Sequence, residues 1–330
     1  MNYTKSLSFL AGFTMLFFVA CQKDSSLNQA NIGSEEQLTE LSSLTRKCAS
    51  HEHNEELMAE NPQIRENQRR IEDFTARFVE NYEKTASGRT VVTIPVVVHV
   101  VYKTAAENIS QAQVQSQIDI LNADYRKLNA DVSLTPSIFA GLTADCEINF
   151  VLEQTIRKST TKKSFSTNDG VKKASTGGSD PVSPSTKLNI WVCTLGNSLL
   201  GYAQFPGGPA ATDGVVCLNK AFGNTGTAAS PYGKGRTATH EVGHWFNLRH
   251  IWGDATCGND QVADTPVHNT SNGGCPPAGH LSTCTGTPVE MTMNYMDYTY
   301  DACMYMFTTG QKARMQATVA PGGSRSAYVQ

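Results

Sequence analysis

Apolar positions follow two different periods along this chain. The densest run, TVVTIPVVVHVVY over residues 90–102, is β-branched at most positions and reads as a strand buried on both faces. Shorter runs over residues 147–152, 187–192, 200–204 and 214–218 predict four more strands. Elsewhere the spacing is helical. Val114, Ile118, Leu121 and Tyr125 share one helix face, and Ser110 with Gln113 has the capping-box pattern that opens such a helix. Ile64, Ile71, Phe74, Phe78 and Val79 recur at roughly helical spacing within a strongly charged stretch, residues 55–84. Residues 239–247 predict another helix, and a last one begins near Gly310. The Ser/Thr/Lys-rich residues 156–186 predict a long loop, and the Gly/Pro/Cys-rich region beyond residue 250 predicts irregular backbone.

The ends of these segments set the domain plan. Lys5 precedes an apolar run over residues 7–20 that is too short to span a bilayer and lies where a signal peptide lies. It closes on Phe18-Val19-Ala20-Cys21, which resembles a bacterial lipobox whose cysteine is lipidated, with Phe18 where leucine is usual. Plain signal cleavage near Ala20 is the alternative. Residues 22–50 are polar and read as a tether. Residues 85–89 form a small-residue link suited to nicking at Gly88–Arg89, immediately before the first core strand. The expected plan is a signal peptide over residues 1–21, a tether and pro-segment over 22–88, and one globular domain over 89–330.

Composition changes the picture little. Of 330 residues, 39% are hydrophobic and 17% charged, which is ordinary for a protein with a packed core. A net charge of −3 gives no basic stripe, so nucleic acid is not an expected partner, and membrane contact is expected only through an N-terminal lipid. The cysteines say more. Cys48, Cys146, Cys193 and Cys217 are scattered, whereas Cys257, Cys275, Cys284 and Cys303 crowd into a loop-rich region of an exported chain and read as staples. With Cys21 and Cys48 set aside, seven remain, so at least one is unpaired.

The chemistry concentrates in HEVGHWFNLRH, residues 240–250. His240 and His244 are four apart and project from one helix face, so both imidazoles reach one ion. Glu241 lies beside them, placed to face a water. His250 follows six residues after His244, which requires the chain to leave the helix and turn back. Three histidines with one position open is a catalytic zinc arrangement.

This segment resembles the motif HExxHxxGxxH of the metzincin metallopeptidases, and within them the pappalysin-type branch that includes bacterial ulilysin-like enzymes. Asn247 replaces the turn glycine, and asparagine is the residue that best tolerates the left-handed backbone needed there. The resemblance implies an α+β fold of two subdomains: a mostly parallel twisted sheet with the active-site helix, above an irregular disulfide-stapled lobe. It implies a zinc endopeptidase acting on protein or peptide substrates. Glu241 is then the general base, Met296 in NYMDY the methionine turn beneath the metal, and Tyr298 the oxyanion donor. It also implies bridges Cys257–Cys284 and Cys275–Cys303, although spacing alone leaves three pairings open. Asp254, Asp260, Asp264 and Thr265 supply oxygens where related enzymes bind calcium. Asp301 resembles the residue that walls the pocket for Arg or Lys after the scissile bond. Arg46-Lys47-Cys48-Ala49 resembles a cysteine switch, in which a pro-segment thiolate fills the open zinc position and makes the pro-segment the enzyme's own inhibitor. Residues 201–204 are a candidate edge strand for an extended peptide. The competing reading is a non-catalytic surface lipoprotein with a structural zinc.

Overall fold

The computed structural model describes residues 46–82 and 91–330, besides Met1. The signal-peptide and lipobox expectations, including Cys21, and the Gly88–Arg89 link lie outside the described residues. Two helices come first, α1 (Ser50–Glu60) and α2 (Pro62–Glu80). The helically spaced Ile64, Ile71, Phe74, Phe78 and Val79 all lie on α2, which starts where Pro62 bars a helical conformation at Asn61, whose side chain caps α2 through the Gln63 amide at 3.0 Å.

A five-stranded sheet follows, built from β1 (Val92–Tyr102), β2 (Ile148–Ser159), β3 (Leu188–Cys193), β4 (Gly201–Ala203) and β5 (Val215–Leu218). Its order is β2-β1-β3-β5-β4, and every pairing is parallel except β4 against β5. β4 is therefore an edge. β2 runs well past the expected end at residue 152, so the predicted loop begins as strand. It stays paired to β1 across a bulge between Val96 and Val97.

Alternation sorts the sheet residues onto two cores. Val98, Val100, Ile190, Val192, Val215 and Cys217 face α3 (Gln111–Tyr125) and α4 (Arg236–Trp245). Val101, Trp191, Cys193, Tyr202, Val216 and Leu218 face the other way, under the loop that carries Phe165 and Val171. Both faces of the central strands are covered, as a β-branched run without polar alternation requires. On α3, Val114, Ile118, Leu121 and Tyr125 are all buried. Ser110 accepts from the Gln113 amide at 3.1 Å, but the Gln113 side chain donates to the carbonyls of Asn219 and Phe222, so only half of the expected capping box forms. The reciprocal box is at α5 (Thr309–Val319), between Thr308 and Gln311.

After α4 the chain is mostly turns, tied by disulfides Cys257–Cys284 and Cys275–Cys303. Cys48, Cys146, Cys193 and Cys217 are buried free thiols. Among the described residues no helix is long and apolar enough to cross a membrane.

Candidate active site

Helix α4 carries His240, Glu241 and His244, all buried. It ends at Trp245, and Asn247 in the turn beyond has a φ of 69°, the left-handed backbone expected of the residue replacing glycine. The turn returns the chain so that His250 faces the helix. The Nε2 atoms of His240 and His250 each lie 3.1 Å from that of His244. Nitrogens held about 2.0–2.1 Å from one tetrahedral zinc are separated by about 3.3 Å, so the spacing fits that ion.

Each outer nitrogen is occupied. Nδ1 of His240 meets the Tyr295 carbonyl at 2.7 Å, Nδ1 of His244 meets the Leu248 carbonyl at 2.8 Å, and Nδ1 of His250 meets the Asp254 carboxylate. An Nδ1 proton in each of these bonds leaves the Nε2 lone pair for metal. Burial, with the neighbouring imidazoles, pushes His240 and His244 well below the ordinary histidine range, which keeps them neutral as ligands must be. Cys48 completes the group: it and the three histidines are the described residues whose ligand atoms cluster tightly enough to hold a metal.

The floor is the segment around Met296. That side chain is fully buried against α4, where a Cβ built on Gly243 would come within 2.5 Å of its Sδ. Tyr298 lies over the ligands, its ring centroid 5.8 Å from that of His240 and 5.0 Å from that of His250. Its hydroxyl donates to the Cys48 carbonyl at 3.0 Å.

Residues 46–50, expected to belong to the tether, instead thread the cleft as buried structure. They pair in parallel with the sheet edge: the Leu200 amide donates to the Lys47 carbonyl at 3.0 Å, and the Ala49 amide to the Gly201 carbonyl at 3.2 Å. Gly201 is needed there, since a Cβ would meet Cγ of Glu241 at 2.8 Å. Oε2 of Glu241 accepts from the Ser50 hydroxyl at 2.8 Å and from the Cys48 thiol at 3.2 Å. Burial pushes Glu241 up to about 7, against the lowering effect of those bonds and of Arg46. The same burial, with the Glu241 charge beside it, pushes the Cys48 thiol up. Metal coordination is what would deprotonate this thiol.

The Arg46 side chain is directed elsewhere. Its guanidinium pairs with Oδ1 of Asp301, donates to the Thr299 carbonyl at 3.2 Å and the Thr237 hydroxyl at 3.3 Å, and lies 5.1 Å from the centre of the Tyr232 ring. Oδ2 of Asp301 takes the amides of Lys234 at 2.9 Å and Arg236 at 3.2 Å, at the start of α4.

Of the residues expected to bind calcium, Asp260 and Thr265 touch, while Asp254 and Asp264 have partners elsewhere. Asp254 is bonded to His250, and its other oxygen is 3.5 Å from His51. Asp260 accepts from the Thr265 hydroxyl at 2.9 Å, while Asp264 takes the Thr308 hydroxyl at 2.7 Å and the Gly310 amide at 2.8 Å. A carboxylate in a turn-rich lobe satisfies itself with the nearest N–H and O–H donors, and these three found separate ones. Sequence reasoning assigned no role to Ser50, nor to Asp254 as partner of a ligand histidine. The one available signal was proximity, Ser50 two residues after Cys48 and Asp254 four after His250.

A sheet with a histidine-bearing helix beneath its edge strand, a methionine floor and three clustered imidazoles defines a zinc metallopeptidase of the metzincin type. Residues 188–320 match the family model described as pregnancy-associated plasma protein-A, peptidase M43. An extracellular metalloprotease of Arthroderma benhamiae is 32% identical over 230 residues, covering 68% of this chain and 76% of that protein. Mature mirolysin of Tannerella forsythia, solved with a cleaved peptide, is 48% identical with a TM-score of 0.71, over 73% of this chain and 96% of that one. A mutant promirolysin of the same organism is 43% identical with a TM-score of 0.78, over 86% and 97%. The chain belongs to this pappalysin-like family of metallopeptidases.

Proposed function

We propose that the chain is an exported endopeptidase made as a zymogen, with His240, His244 and His250 holding zinc, Glu241 as general base and Tyr298 as oxyanion donor. The observation that carries this is Glu241 itself: a buried carboxylate beside three ligand histidines, outside the ligand group, with Oε2 turned to the chain segment that fills the cleft. Zinc, when bound, supplies Lewis acidity that polarises a scissile carbonyl and acidifies a water. Glu241, raised towards neutrality by burial, takes a proton from the attacking water and passes it to the leaving amine. The Tyr298 hydroxyl, which here donates to a carbonyl of the pro-segment, is placed to donate to the oxyanion of a substrate. The amides and carbonyls of residues 200–203 that hold the pro-segment are the edge on which an extended peptide pairs.

Latency is assigned to the pro-segment within residues 22–88, with Cys48 as fourth zinc ligand. Its support is the Cys48–histidine group, and the likeness to promirolysin reaches further along this chain than the likeness to the mature form. The Asp301 pocket is assigned to Arg or Lys after the scissile bond, supported by the guanidinium of Arg46 that occupies it. Calcium binding at Asp254, Asp260, Asp264 and Thr265 and lipid attachment at Cys21 rest on the sequence.

Replacing Glu241 with alanine tests the core of this reading. Activated Glu241→Ala should lose at least 10²–10⁴ in peptide hydrolysis, roughly the contribution of a general base, while metal analysis still finds one zinc per chain. Turnover near wild type would leave Glu241 without its role, and would return weight to a structural zinc in a non-catalytic surface protein.

A further inference from the structure

A second side chain of the pro-segment is buried against the catalytic domain, away from the contacts of Arg46. His53, on the first turn of α1, is 4% exposed and sits edge-on to the Tyr202 ring, with centroids 5.1 Å apart. Its Nε2 points at Oδ2 of Asp169 from 3.4 Å and makes no hydrogen bond. The wall it meets is built in detail. Lys172, fully buried, places Nζ 2.8 Å from Oδ1 of Asp169 and donates to the Thr212 carbonyl at 2.7 Å. The Tyr202 hydroxyl also donates to Oδ1, at 3.3 Å. One oxygen of Asp169 is thus committed within the domain and the other faces the occupant. Lys172 and the His53 contact hold the Asp169 carboxyl down to about 2 against the effect of burial, so the acceptor stays charged.

The pocket lies where a substrate side chain would fall. Side chains of an extended segment alternate between two faces. Arg46 and Cys48 turn into the domain, towards Asp301 and the histidines, and Lys47 between them is exposed. On the strand they pair with, Gly201 faces Glu241 and Tyr202 belongs to the opposite core. Of the alternate residues of the segment, Lys47 is exposed and Ala49 joins the core of Tyr202, so a peptide on this edge can send a side chain to the Tyr202 side. Along the pro-segment, Arg46 and His53 flank Cys48. With Asp301 taking the residue after the scissile bond, the Tyr202 side takes one before it.

We propose that Asp169 and Tyr202 form a second specificity subsite, which selects histidine at one position ahead of the scissile bond. An imidazole packed on Tyr202 as His53 is, and drawn closer to Asp169, places an N–H on Oδ2. This rests on the substrate orientation given under the proposed function, and the two pockets can be tested apart.

The test uses enzyme activated from the full chain and a peptide series with arginine fixed after the bond. Histidine is compared with alanine at each of four positions before it. At one position histidine should raise kcat/KM roughly tenfold, the scale of one hydrogen bond to a charged acceptor. Asp169→Asn should bring that ratio close to one. Asp301→Ala should change selectivity after the bond and leave the histidine ratio standing, so either reading can fail alone. A wild-type series with no preference for histidine at any position overturns the subsite, and so does an Asp169→Asn enzyme that keeps the ratio. Should Asp169→Asn not fold, His53→Ala in the zymogen decides: the pro-segment should dissociate faster, and an unchanged rate rejects the pocket.

Discussion

Removing the Arg46 side chain should unlatch the zymogen without touching the metal group. Arg46 is buried along with Asp301, and its guanidinium makes an ion pair, two further hydrogen bonds and a contact with the Tyr232 ring. Breaking a buried ion pair by deleting one partner costs about 3–5 kcal/mol when the other is stranded. Here Asp301 keeps two backbone amides, and water reaches it once the segment lifts, so the smaller scale of a charged hydrogen bond applies, about 1.5–3 kcal/mol. At about 1.4 kcal/mol per tenfold, Arg46→Ala raises the open fraction of the zymogen by about 10- to 150-fold. The assay is hydrolysis of a fluorogenic peptide by unprocessed full-length protein, with electrophoresis to show that no chain has been cut. Arg46→Lys should recover part of the latency, because an ammonium keeps the charge but not the fork of donors. An Arg46→Ala zymogen as silent as wild type, beside an active Cys48→Ala control, would refute the reasoning.

Three further outcomes are expected. Unprocessed Cys48→Ala should show peptidase activity that wild-type zymogen lacks, measured in the same assay. The activated enzyme should begin at Arg89, as read by N-terminal sequencing. Asp260 is raised by burial from 3.8 to about 6. A folded pKa above the unfolded one means that the native state binds the extra proton, so stability should fall as pH rises from about 4 to 6, by about 1–3 kcal/mol. Urea unfolding of calcium-free Asp260→Asn should show a flatter profile across that window.

How much of this could be read from the chain depends on how local each signal is. The run over residues 90–102 declared β1 because Ile94, Val96, Val98 and Val100 enter one core and Val101 the other. β2 outran its expected end because its outer half is an exposed sheet edge, where Glu153, Arg157 and Lys158 face solvent and carry no apolar period. The His240–His244 pair was legible because one helical turn fixes both imidazoles, and His250 because Asn247 marks the reversal. The buried ion pair of Arg46 with Asp301 joins residues 255 positions apart, and the Ser50 bond to Glu241 joins residues 191 apart. No periodicity encodes such contacts. They exist because the sheet edge lets a distant segment lie along it.

The acidic loop shows the opposite case, a local signal whose residues take different partners. Asp254, Asp260 and Asp264 lie close in sequence and look like one oxygen cage. Charges so near each other repel unless an ion holds them, and each is better served by donors of its own. Asp254 turns back four residues to orient His250, and Asp264 reaches forward to cap α5. Only Asp260 keeps its carboxyl within the loop, buried beside Thr265 and raised by that burial. Of the three, Asp254 therefore bears on catalysis, through the orientation of a ligand, and Asp264 on the last helix. Asp260 is thus the acid of this loop whose protonation is coupled to folding, which is why the Asp260→Asn profile is the measurement that discriminates.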